Sequence, residues 1–373
     1  MSWEDHVVQY RRELHRIPEL GFQEHQTREY LWNRLKGLGL GSTVVGETGL
    51  YADLPGNRPG KVVGVRADMD GLPLSEETGL SFSSEHAGVM HACGHDAHMA
   101  IVLGLAERLA QDRDFPGTVR ILFQPAEERP PGGALKLIEA GALDGVDEVY
   151  GLHVWANLPV GSAGLRAGPM MANADQFTIR IKGVGGHGSQ PQATKDAVLI
   201  AAQTVVNLQT IISRRVPPFE PAVVTCGTIH GGHTFNIIAE TAELTGTVRT
   251  FSNACQSLII EEMQRIAERT AALYDATAEL TYEKGYPALI NHEGEVAAWE
   301  EKLRGLVEIE RVEPDMGGED FAYYLQHKPG AFLFLGCAPP DGQVAPHHSP
   351  HFILDERVLP LGVEVLRRAI MPN

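Results

Sequence analysis

Four short, almost uninterrupted apolar runs constrain this chain more than any other feature: KVVGV at 61–65, VRILF at 119–123, EVYGLHV at 148–154 and AFLFLG at 331–336. A strand with one wet face alternates apolar and polar residues, whereas a continuous run is buried on both faces, as in a sheet covered by helices. Helical patterns lie between the runs, MAIVLGLAERLAQ at 99–111 and GGALKLIEAG at 132–141. Two more open the chain, near 3–15 and 24–36, on either side of a turn at Pro18. Alternating β and α units predict an α/β fold with a largely parallel, helix-covered sheet.

The middle of the chain has a different pattern. QFTIRIKG at 176–183 alternates apolar and polar, the period of a half-exposed strand. A long helical pattern follows at 195–213 and is halted by Pro217-Pro218. Strands are then expected near 222–229 and 241–250, a helix over 256–274, and a strand over 277–285. That order, βαββαβ, is the split-βαβ or ferredoxin-like arrangement. The pattern of the first region resumes after Pro287. The simplest architecture is therefore a domain at 175–286 inserted into a larger domain made of 1–174 and 287–373. Its half-exposed strands leave an edge open for pairing with a second copy of the chain, so a homodimer is expected.

Composition narrows the partners. A formal charge of −17 lacks the basic footprint that nucleic acid requires. No run of eighteen apolar residues is present, so no membrane span is expected. The first residues enter a charged helical pattern without a signal-peptide core, and the expected location is the cytoplasm. Four cysteines among 373 residues do not make a disulfide scaffold. Cys226, Cys255 and Cys337 read as small core residues. Cys93 keeps different company, in HACGHDAH at 91–98.

Cys93 and His95 flank Gly94, so a turn there can aim a thiolate and an imidazole at one divalent cation. No Cys-x-x-Cys pair accompanies them, and the other ligands must come from distant loops. Open α/β sheets build their sites beyond the carboxyl ends of strands. There stand Asp68 and Asp70, Glu127 and Glu128, His153, and the histidines 347, 348 and 351. In Glu127-Glu128, one carboxylate is able to hold a metal while its neighbour moves a proton, the machinery of amide hydrolysis. Taken singly, each of these groups reads more simply as a surface or hydrogen-bonded residue. Their recurrence at successive strand ends outweighs that simpler reading.

The segments MHACGHDAH, FQPAEE, GLHV, GVGGHGSQP, TFNIIAE, GTVRT, MGGEDFAYY and HHSPHF, in this order across almost the whole chain, resemble the M20 family of metallopeptidases and amidohydrolases. The most similar branch holds the aminoacylases, hippurate hydrolases and auxin-conjugate hydrolases. The resemblance implies a zinc-exopeptidase-like α/β domain with an inserted lid and dimerisation domain. It implies two divalent metals (zinc, manganese, cobalt or nickel), bridged by Cys93 and also held by His95, Glu128, His153 and His348. Glu127 would be the general base and then the acid, His187 would polarise the scissile carbonyl, and Asn236 and Arg249 would hold the substrate. The implied substrate is a small N-acyl amino acid, and the implied assembly is a homodimer or a dimer of dimers.

The chain departs from the family pattern in several places. Asp68-Met69-Asp70 replaces the wider clan's His-x-Asp, so both aspartates are expected behind the ligands. Ala239 stands where relatives carry proline, and two prolines follow Glu127-Glu128-Arg129. His348 is preferred to His347 only by its place before Ser349-Pro350. Two other functions remain open at this point: a dipeptidase or carboxypeptidase, and a metal-binding module without catalysis.

Overall fold

A computed structural model describes residues 2–339 and 345–371. The chain divides into two compact units, Met1–Met170 with Ile290–Glu313 and Asp320–Asn373, and Met171–Leu289 with Pro314–Glu319. The segment Pro314–Glu319 joins the second unit through its backbone, the N–H of Ala172 donating to the carbonyls of Asp315 and Gly317.

The first unit is built on an eight-stranded sheet. Its order is Ser42–Val45, Gly49–Pro55, Pro116–Gln124, Arg58–Asp68, Glu148–Pro159, Gly330–Ala338, Ser162–Gly164 and Glu308–Glu310. The four strands from Pro116–Gln124 to Gly330–Ala338 run parallel. They contain the four apolar runs and are buried along most of their length. The helix His95–Gln111 is buried nearly all round, as its apolar composition requires, between the sheet and the helices Trp3–His15 and Val358–Ile370. Trp3–His15 starts in a capping box: Ser2 Oγ accepts from the N–H of Asp5, whose carboxylate accepts from the N–H of Ser2.

Two of the expected boundaries that move lie in this unit. The central helix begins at His95, not residue 99, and the helix expected over 132–141 is confined to Ala134–Glu139. Glycines at 132 and 133 do not extend a helix, and Gly141, at φ +81°, lies beyond its end.

The second unit has four antiparallel strands in the order Ala222–Gly231, Thr241–Thr250, Ala174–Lys182 and Thr277–Tyr286. Phe177, Ile179, Ile181, Leu244 and Val248 face the helices Ala197–Arg214 and Asn253–Ala272 through Ile200, Leu208, Ile259 and Met263. Asp196 and Ser252 cap the two helices. Ala197–Arg214 is long and apolar enough, by length and composition, to cross a bilayer, and a third of it is buried against this core. Cys255 and Cys337 are buried as expected, but Cys226 is only half-buried because it lies on an edge strand.

Candidate active site

Asp68 closes the strand Arg58–Asp68, Glu127 and Glu128 follow Pro116–Gln124, and the 347–348 pair follows Gly330–Ala338. His153 is not at a strand end as expected, because Glu148–Pro159 runs on past it. Register is what opens its flank. Pairing with the neighbouring strand stops where Arg66 meets Gly151. Beyond that point the N–H groups of Val154 and Ala156 donate to imidazoles instead, to His98 Nε2 at 2.9 Å and His347 Nε2 at 3.2 Å.

The turn of HACGHDAH presses against this strand at Gly94, whose φ is +90°. A Cβ there would lie 2.4 Å from Val154 Cγ2, so both the backbone angle and the close approach require glycine. His95 then opens the helix and donates from Nδ1 to the Asp70 carbonyl at 2.9 Å. Its Nε2 is left buried without a hydrogen-bond partner. His153 donates from Nδ1 to the Val154 carbonyl at 2.6 Å, and its Nε2 lies 3.4 Å from Cys93 Sγ.

Of the five clusters of potential ligand atoms that fit within 4.8 Å among the described residues, three combine the expected ligands and base: Cys93, His95 and His153; Cys93, Glu128 and His348; His95, Glu127 and Glu128. All five residues expected to hold metal are thus gathered, together with Glu127, and Cys93 belongs to two of the clusters. Burial, then Glu128, Glu127 and Asp68, push the Cys93 thiol well above its ordinary range. A thiolate among carboxylates needs a cation beside it, and the unpartnered His95 Nε2 faces the same space, so the donor set fits divalent metal.

Adjacent histidines at 347 and 348 have different surroundings. His347 packs among Trp155, His153 and Phe352, with ring centroids 5.3, 5.1 and 4.8 Å away. Burial, reinforced by His98 and His348, pulls it down to about 3, which suits its role as a neutral acceptor for Ala156. His348 adopts φ +63°, which turns its ring the other way, and Nε2 comes 3.0 Å from Glu128 Oε1. That contact raises its pKa.

Behind the candidate ligands stands a layer of buried charge. Asp70 Oδ1 accepts from the N–H of Glu127 and Oδ2 from the N–H of Glu128, both at 3.0 Å. Asp68 accepts from His98 Nδ1 at 2.6 Å and from Arg66 at 2.7 Å. Although burial opposes it, Arg66, then His95 and His98, hold Asp68 well below the usual carboxylate range. Arg66 also reaches Asp320 at 2.8 Å and Gln124 at 2.9 Å. Burial works against a charged His95, but Asp68, Asp70 and Glu128 outweigh it and raise it to about 10. Immediately after His95 in the same turn, Asp96 accepts from Arg11 and His15, both at 2.8 Å.

Sequence reasoning placed Asp68 and Asp70 in this layer but missed Arg66 and Arg11. The available signal was an arginine within the doubly buried run KVVGVRAD, which folds only if its charge is paired.

In the second unit, His187 pairs with Ile237 in the short ladder Gly186–His187 with Ile237–Ile238, and the N–H of Gly188 donates to the Asn236 carbonyl. His187 and Asn236 are therefore neighbours, both exposed. The N–H of Ser189 donates to His187 Nδ1 at 3.1 Å, which places the ring proton on Nε2. Arg249 is not with them. It lies towards the opposite end of its strand, half-buried, donating to Thr247 Oγ1 at 2.6 Å, and burial lowers its pKa.

Comparison with known proteins agrees with this geometry. Residues 64–371 match the family model described as Peptidase family M20/M25/M40. N-acetyl-L-cysteine deacetylase of Bacillus subtilis is 40% identical over 360 residues, 95% of this chain and 85% of that protein. N-acyl-L-amino acid amidohydrolase of Geobacillus stearothermophilus is 44% identical over 289 residues, 77% of this chain and 78% of that protein. Among solved structures, the Bacillus subtilis YXEP protein, a dinuclear metal-binding peptidase from the M20 family, superposes with a TM-score of 0.88 at 36% identity. That match covers 99% of this chain and 97% of the other. This chain belongs to peptidase family M20/M25/M40.

Proposed function

We infer that the protein is a metal-dependent amidohydrolase that cleaves N-acyl amino acids to a carboxylate and a free amino acid. The observation that carries the reading is the gathering of Cys93, His95, Glu128, His153 and His348 around one space, with Glu127 at its side. Relatives named as a deacetylase and an amidohydrolase of N-acylated amino acids support the substrate class.

Cys93, His95, Glu128, His153 and His348 would hold two divalent cations, the family resemblance implying Cys93 as the ligand common to both, and their gathering supports that set. The cations, when bound, lower the pKa of water toward about 7 and polarise the amide carbonyl. The chain's own residues do the rest. Glu127 takes a proton from the attacking water and returns it to the leaving nitrogen as the C–N bond breaks. Asp70 holds the backbone at both Glu127 and Glu128, so that base and ligand keep their separation. His187, with its proton on Nε2, is assigned to stabilise the developing oxyanion, and Asn236 and Arg249 to bind the substrate.

The second unit is assigned as the lid and dimerisation domain of a homodimer. Supporting this are the edge strand Ala222–Gly231 and the exposed apolar side chains of Val206, Ile229, Phe235, Ile237 and Leu273. The cytoplasm is the proposed location, supported by four cysteines that are all free.

The deciding experiment combines metal analysis with turnover of N-acetyl and N-benzoyl amino acids, assayed beside dipeptides. Glu127→Gln is expected to keep its metal while kcat falls about 100-fold or more. Near wild-type turnover would remove Glu127 from its role. Preference for dipeptides would make the enzyme a peptidase, and metal binding without turnover would make it a binding module.

A further inference from the structure

Glu24 is fully buried in the first unit and stands at the N-cap position of the helix His25–Gly37, yet its carboxylate does not cap that helix. Glu19 does so instead: its carboxylate accepts from the N–H of Gln26 at 3.2 Å and of Thr27 at 2.9 Å. Glu24 is thereby free to reach across the fold, where it accepts from the N–H of Ala126 at 2.8 Å. Ala126 immediately precedes Glu127 and has φ +55°, a left-handed backbone that an alanine adopts only where its surroundings impose it.

Three consecutive N–H groups are therefore held by two buried carboxylates. Ala126 is held by Glu24, and Glu127 and Glu128 by Asp70. The irregular connector between the helices Trp3–His15 and His25–Gly37 touches the turn a second time. A Cβ on Gly21 would lie 3.0 Å from Ala126 Cβ and 3.1 Å from Ala126 Cα, so the connector is seated directly against the left-handed residue.

We propose that Glu24 is a positioning residue for the general base: with Gly21 seated beside it, it holds Ala126 in the left-handed conformation that aims Glu127 at the reacting atoms. The proposal rests on the assignment of Glu127 as base. Burial, together with the charge of Asp70, pushes Glu24 up to about 7, so a neutral amide with the same acceptor oxygen is a close replacement.

The test uses the full, metal-loaded chain and the variants Glu24→Ala, Glu24→Gln and Gly21→Ala. It measures kcat and KM on an N-acetyl amino acid, metal content, and hydrogen exchange of a peptide spanning 126–128. Glu24→Ala is expected to lower kcat by about 10- to 100-fold, the usual cost of losing a group that orients a catalytic residue, with KM and metal content nearly unchanged. Its amides at 126–128 exchange faster, while Glu24→Gln restores both readouts. Gly21→Ala lowers kcat without touching the carboxylate, and it decides the question should Glu24→Ala not fold. Unchanged kcat and exchange in Glu24→Ala, or Glu24→Gln as impaired as Glu24→Ala, would overturn the proposal. If the wild type cleaves no N-acyl amino acid, the activity assignment fails, and the exchange comparison alone then decides whether the clamp exists.

Discussion

Replacing Asp70 by asparagine tests the logic of the site most directly. The carboxylate uses one oxygen for the N–H of Glu127 and the other for that of Glu128, each at 3.0 Å, and His95 Nδ1 lies 3.3 Å from Oδ1. Asparagine keeps a single acceptor oxygen, so one N–H must face an amide NH2. A charge-assisted hydrogen bond of about 1.5–3 kcal/mol is lost, and the surviving one becomes neutral. If that loss falls in the transition state, kcat/KM drops by about 10- to 150-fold, at 1.36 kcal/mol per tenfold. Glu128 and His95 are assigned as ligands, so metal affinity should weaken as well, by about 10-fold or more. The assay is steady-state deacetylation with saturating metal, paired with a metal titration monitored by calorimetry. An Asp70→Asn enzyme with kcat/KM within threefold of wild type and unchanged metal affinity would refute the claim that this carboxylate sets base and ligand together.

Three further outcomes are expected. Arg66→Met removes the guanidinium between buried Asp68 and Asp320, and should cost about 3–5 kcal/mol in urea unfolding of the metal-free protein; a loss below 1 kcal/mol would contradict the pairing. Glu76, held down to about 2 against its burial by His15 and the N–H of Ser84, contributes stability that is full above pH 4.5 and lost as pH falls through 2, at most about 3 kcal/mol. His15, raised by Asp96 against its burial, has the opposite sign: its contribution is present below pH 6.5 and lost as pH rises through its folded value. Glu76→Gln should therefore flatten the stability profile between pH 4.5 and 2, and an unaltered profile would show that the pair is not coupled to folding. Light scattering at micromolar concentration should return twice the monomer mass, and the monomer mass would end the dimer assignment.

Much of this was legible before any coordinates because the relevant signals are local. Apolar runs buried on both faces announce parallel strands, and polar groups after such strands gather at one edge of the sheet. The residues that escaped a reading of the sequence depend on partners far along the chain. Arg66 is explained by Asp320, and Glu24 by Ala126, neither of which lies in its neighbourhood. His347 and His348 have the same chemistry and differ only through a backbone angle at His348 that the sequence does not print. The helix expected from residue 99 begins at His95 because its start is set by Gly94 against Val154, a contact between distant segments. Half-burial of Cys226 follows from the sheet order, which makes its strand an edge.

The point at which two parallel strands part company also sorts the histidines. Past Gly151 the backbone of Glu148–Pro159 asks for acceptors, and His98 and His347 answer with their Nε2 atoms. An imidazole committed in this way has no lone pair left to give a cation. His95 and His153 spend their Nδ1 protons on carbonyls, which leaves His95 Nε2 without a partner and His153 Nε2 facing Cys93 Sγ. In the proposed centre, hydrogen-bond supply along this unpaired stretch of the sheet, and not the motif around it, separates the candidate ligands His95 and His153 from the scaffold histidines His98 and His347. A designer wishing to move this centre along the sheet would have to move that stretch first.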